Sequence, residues 1–130
     1  MTAVLEKNGA RLIEKVEFAV SLSQRMVGLL GMSGLAPGSA LFIIPCGSVH
    51  TFFMRFSLDL VFLDAHGRVT KVARNVVPWR VVWGGMRARG VLELSAGWLP
   101  ADALKPGDVV TLSCSDPRST GISPTLSRTS

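Results

Sequence analysis

The sequence predicts a mainly β chain: a single-domain β-sandwich or small β-barrel of about seven short strands with one or two short helices. Three observations carry this. The even positions Phe52, Met54, Phe56, Leu58, Leu60 and Phe62 are apolar without a break, and a period of two is the spacing of side chains along one face of a strand. Short apolar runs such as ALFII at 40–44, VLEL at 91–94 and DVVTLSC at 108–114 are separated by glycine, proline and aspartate punctuation, the pattern of an all-β domain. A length of 130 residues accommodates one core and is too short for two ordinary domains.

Residues 1–10 read as an N-terminal extension. ARLIEKVEFAV at 10–20 alternates Glu14, Val16, Phe18 and Val20 against Lys15, Glu17 and Ala19, which predicts an opening strand. Ser21 and Gln24 have the spacing of a capping box ahead of Met26, Val27, Leu29 and Leu30, so a short helix follows and ends at Gly31 or Gly34. ALFII is a buried strand stopped by Pro45, and the alternating run from Phe52 is the strongest strand in the chain.

Asp64 to Gly67 forms a hairpin turn, with RVTKVARNVV as the returning strand. WRVVWGGMRARG, after Pro78, reads as a loop broken by Gly84 and Gly85. VLEL gives another strand, and LPADALKPGD a short helix halted by Pro106 and Gly107. DVVTLSC closes a domain spanning 11–114. Residues 115–130 contain little to bury and are expected to be a disordered tail. No internal repeat is visible, which excludes a propeller or solenoid.

The first residues carry Glu6 and Lys7 rather than the apolar run of a secretory signal. No stretch approaches the ~20 apolar residues of a membrane-spanning helix. A cytoplasmic protein is expected, with Cys46 and Cys114 as thiols; a single bridge between them is the alternative in an exported protein. Charge is concentrated in the middle of the chain. Residues 55–89 hold Arg55, Arg68, Lys71, Arg74, Arg80, Arg87 and Arg89 against Asp59 and Asp64. Such a region suits an anionic ligand or, less directly, nonspecific nucleic-acid binding. Aromatic and basic residues do not interleave as a single-strand binder requires, and a solvated arginine face is the simpler reading.

The helix RMVGLLG at 25–31, the segment VHTFFMRFSLDLVFLDAHGRV at 49–69, and VLELSAG followed by PGD at 106–108 together resemble a prokaryotic family, domain of unknown function 192. The resemblance spans about residues 11–114. Arg25, Gly28 and Leu29 match the family's R-x-x-G-L-M helix, Met54 and Arg55 its methionine before a basic or polar residue, and Leu58 and Asp59 its hydrophobic–aspartate pair. The chain departs at Ser57, where the family often has proline, and after Leu30, where it often has a charged residue. The proline position implies a bend at 57, dividing the alternating run into two elements. The resemblance implies a compact β fold and no established reaction.

Cys46, His50 and Met54, four residues apart, have the composition of a copper ligand set. That site requires a second histidine upstream, and the only other one, His66, lies in a hairpin turn. A structural zinc site requires about four paired Cys/His ligands, and the chain has two of each without that spacing. No metal and no cofactor is expected. Cys46 with His50 has the residue types of a nucleophile and base, but a small buried thiol is the simpler reading of Cys46.

The stronger cluster is His50, Thr51, Arg55 and Asp59, within ten residues. Asp59 shares its register with Val61 and Leu63, so its carboxylate must find a cationic or hydrogen-bonding partner, for which Arg55 or Arg25 is the natural choice. Glu93, interrupting VLEL, projects opposite Leu92 and Leu94. If that face lines a cleft, His50 with Asp59 or Glu93 would be the acid/base set of a small hydrolase or lyase. Trp79 and Trp83 lie beside Arg87 in the glycine-bearing loop, where exposed indoles make platforms for a planar ligand or anchors for a protein.

The leading expectation is a non-enzymatic binding or accessory domain for a polar or anionic small ligand or a protein partner. Its cleft would be rimmed by Arg25, His50, Thr51, Arg55 and Asp59 and by the loop holding Trp79, Trp83 and Arg87.

Overall fold

The computed structural model describes residues 2–19, 38–51, 54 and 56–114. The expected helix at 25–31, the residues Arg25 and Arg55, and the tail from 115 lie outside them. The described residues form strands and turns only. The strands are β1 (Thr2–Lys7), β2 (Ala10–Ala19), β3 (Ser39–Ile43), β4 (Ser48–His50), β5 (Leu58–Leu63), β6 (Val69–Val76), β7 (Val81–Trp83), β8 (Gly90–Ser95) and β9 (Thr111–Cys114). Seven make one curled half-barrel sheet in the order β6-β5-β8-β3-β2-β1-β9, and β4 pairs with β7 in a small second sheet. Among the described strands only β2 and β3 run parallel, which fits the long connection between them, since parallel neighbours need a crossover.

Residues 2–7, read as an extension, are instead β1, paired with β2 on one side and β9 on the other. The local reason is the Asn8–Gly9 turn, with both residues at positive φ (53° and 81°), the backbone of a tight hairpin. The segment 97–107 is a series of turns, not the expected helix. Ala103 N bonds to Pro100 O and Asp108 N to Lys105 O, each spanning three residues. Between Pro100 and Pro106 too few residues remain to repay helix nucleation. The loop is held from outside, since Lys7 Nζ donates to Ala103 O (3.1 Å) and to Asp108 Oδ2 (2.9 Å).

The two edges of the large sheet meet where β6 begins. Arg68 bridges Val109, Val69 N donates to Asp108 O (2.7 Å) and Val110 N to Gly67 O (2.9 Å). Gly67 sits at φ 81°, and a Cβ there would lie 2.5 Å from Val110 O. This approach of the edges favours the barrel over the sandwich.

Side chains on the two faces of the sheet feed two apolar clusters. Phe42, Val61, Leu63, Leu92 and Leu94 belong to one, with Ile13, Val16 and Leu5. Leu58, Leu60, Phe62, Ile43 and Val91 belong to the other, where Val49, Met54 and partly buried Val82 pack against them. Strand β5, covered on both faces, is therefore buried at every position. The strand begins at Leu58, with Phe56 in a bend and Ser57 irregular; Phe52, Phe53 and Arg55 of the alternating run lie outside the described residues.

Candidate functional site

The expected site residues divide by sheet face. β5 and β8 are antiparallel, with Asp59 opposite Leu94 and Leu60 opposite Glu93. Residues directly opposite share a face. Asp59 and Glu93 thus project to opposite sides of one sheet and cannot act as a pair on one substrate.

Asp59 is 1% exposed and is engaged on both oxygens. Oδ1 accepts from Asn75 N (2.8 Å), Oδ2 accepts from Gly97 N (3.1 Å), and Arg74 Nε lies 3.6 Å from Oδ2. Arg74 is thus a cation beside Asp59; the expected partners, Arg25 and Arg55, lie outside the described residues. The cause is local: the β5–β6 register shifts between Leu58 and Leu60, so that Arg74 and Asn75 together oppose Asp59. This is a β-bulge, and Asn75 adopts φ 53° in it. The carboxylate takes the amide that the bulge frees from the ladder.

Thr51 is fully buried and holds the segment that follows the bulge. Its hydroxyl donates to Val77 O (2.7 Å) and accepts from Arg80 N (2.9 Å). Its backbone accepts from Trp79 N (3.0 Å) and donates to Arg80 O (2.8 Å). Trp79, at φ 68°, is an uncommon non-glycine left-handed residue, and the Thr51 contacts over-determine that turn. His50 lies one residue earlier in β4, across the ladder from Val81. Its Nδ1 is withdrawn from solvent, as is Glu93 Oε2. Cys46 is a buried thiol donating to Ser48 O (3.0 Å). Among the described residues no three His, Cys, Asp or Glu side chains gather as a metal site would require.

Thr51 and Asp59 thus anchor the two ends of the segment Asn75–Arg80, which leads into β7. Here, apart from Val109, the described residues present their exposed large apolar side chains. Trp79 is 56% exposed, Val81 65%, Trp83 59% and Met86 87%, while Val82 turns inward onto the second cluster. Arg80, Arg87 and Arg89 are exposed beside them. From residue 65 to 92 the sequence contains Arg68, Lys71, Arg74, Arg80, Arg87 and Arg89 and no acidic residue. Lys71 Nζ reaches across to Trp83 O (3.0 Å), and buried Gly84 lies against the Phe62 ring so closely that a Cβ there would overlap it. The ribbon is therefore pressed to the core at Val82 and Gly84 and open on its other side.

The sequence reading found the tryptophans and Arg87 but took the segment for a loop, and so missed Val81, Met86 and the pairing of β7 with β4. The signal was present in the alternation Trp79, Val81, Trp83 around Arg80 and Val82, masked by the flanking Pro78 and Gly84–Gly85.

Comparison with known proteins places the chain among uncharacterised relatives. The model of domain of unknown function 192, described as an uncharacterized ACR, matches residues 3–112. A UPF0127 protein of Pyrococcus horikoshii is 36% identical over 98 residues, covering 71% of this chain and 80% of that one. Another from Pyrococcus abyssi is 33% identical over 102 residues, covering 74% and 84%. Two crystal structures share the fold. A protein of unknown function from Novosphingobium aromaticivorans has a TM-score of 0.70 at 21% identity, over 85% of this chain and 83% of that one. A putative transcription regulator from Sinorhizobium meliloti has a TM-score of 0.68 at 24% identity, over 84% and 90%.

Proposed function

The chain belongs to the uncharacterised family of domain of unknown function 192, and within it we propose that it acts as a non-enzymatic binding domain, engaging an anionic partner through the β7 ribbon. The observation that carries this is the coincidence of Trp79, Val81, Trp83 and Met86, all more than half exposed, with Arg80, Arg87 and Arg89 on a segment free of acidic residues. Large apolar side chains in water are unfavourable unless a partner covers them, and clustered guanidiniums favour an anionic one.

Two of the polar candidates have structural work. Asp59 is committed to Asn75, Gly97 and Arg74. Thr51 is committed to the turn at Trp79. Both serve to present the ribbon.

The test is a titration of the intrinsic tryptophan fluorescence with dextran sulfate as a soluble polyanion. A saturable change, weakened by salt and by the combined substitutions Arg80→Gln, Arg87→Gln and Arg89→Gln, is expected. The absence of any change at low ionic strength would overturn the reading.

A further inference from the structure

We propose that the anionic partner of the β7 ribbon is a lipid bilayer surface, onto which the ribbon docks with Trp79, Val81, Trp83 and Met86 entering the interface and Arg80, Arg87 and Arg89 lying among acidic headgroups. This rests on the binding reading above and names the class of partner.

Three features favour a bilayer over other anionic partners. The first is the sign of the rim. Every charge from residue 65 to 92 is positive, which complements a surface that is uniformly negative outside and apolar within, as a bilayer of acidic lipids is. The second is the kind of apolar side chain. Val81 and Met86 are the two most exposed large hydrophobics, and neither can stack on a base as single-strand recognition requires; both suit the acyl boundary. Indoles prefer the headgroup level, with an apolar body and a polar N–H. The third is presentation. The ribbon is braced behind by partly buried Val82, packed against the second apolar cluster, and by Thr51 at the Trp79 turn, so its outward side chains are offered on a held support with little ordering left to be done. No helix among the described residues is long and apolar enough to cross a membrane, and the proposed contact is with the bilayer surface.

The experiment is co-sedimentation of the full chain with vesicles of phosphatidylcholine alone and of phosphatidylcholine mixed with phosphatidylglycerol, read together with tryptophan emission. Binding to the mixed vesicles, a blue shift of emission, and little binding to neutral vesicles are expected. Each arginine changed to glutamine at 80, 87 or 89 should weaken binding by about fivefold. Val81→Ser with Trp83→Ser should remove most of the blue shift while thermal unfolding shows the fold retained. Failure to bind mixed vesicles, with the dextran sulfate response intact, would overturn the bilayer and leave the binding reading standing; loss of both responses would overturn both. Vesicle binding without a blue shift, or tighter binding to DNA than to mixed vesicles at equal salt, would also overturn the proposal.

Discussion

Asp59 Oδ1 accepts the backbone amide of Asn75 at 2.8 Å, across the bulge where one residue of β5 faces two of β6. The carboxylate is almost wholly buried and also takes Gly97 N. Removing it strands two amides and the neighbouring Arg74. Asp59→Ala should therefore destabilise the fold by about 3 kcal/mol, measured by urea unfolding, and Asp59→Asn by less because one acceptor oxygen remains. A loss within about 0.5 kcal/mol for the alanine variant would show that the bulge does not depend on this contact.

The Thr51 hydroxyl joins Val77 and Arg80. Thr51→Val preserves the shape but leaves the Arg80 amide and the Val77 carbonyl, both in part-buried hydrogen bonds, without this partner, at a cost of about 1 kcal/mol. The local consequence is more specific than the global one: hydrogen exchange at the Arg80 amide should accelerate beyond the change at β8 amides. Uniform acceleration would mean that Thr51 supports the fold as a whole and not the Trp79 turn.

Asp108 gives a pH dependence of defined sign. The Lys7 ammonium, through its hydrogen bond, and then the Lys105 amide hold its carboxyl below the ordinary value of 3.8. A carboxyl with a lower pKa folded than unfolded adds stability above the unfolded value, and loses it as pH falls through that value and then through the folded one. The melting temperature of Asp108→Asn should thus lie below that of the parent protein at neutral pH, with the gap closing below about pH 4. The gap should be small, because both partners are partly exposed. A gap unchanged down to low pH would assign the effect to packing of the loop.

Much of the strand content was legible because it depends on local rules. The alternation in 10–20, the apolar run at 40–44 and the turn at Asp64–Gly67 each reappear as β2, β3 and the β5–β6 connection. The Asn8–Gly9 turn is an equally local signal, but the strand ahead of it completes its pairing with β9, about a hundred positions away. The helix expected at 99–108 failed for the converse reason: its composition permits helix, but Lys7 and two prolines decide the outcome.

Of the candidate site, the sequence by itself determined the residue types: a basic acid-free stretch, two tryptophans near it, and a carboxylate at 59 that required a partner. Only the tertiary structure decided what each does. It turned Asp59 and Glu93 to opposite faces of one sheet, gave Asp59 to Arg74 and the Asn75 bulge, and set Thr51 beneath Trp79. The physical reason is that burial on one face or the other follows from strand register, and the pairing of β5 with β8 joins segments that are not neighbours in sequence, beyond the reach of the turn that sets a hairpin.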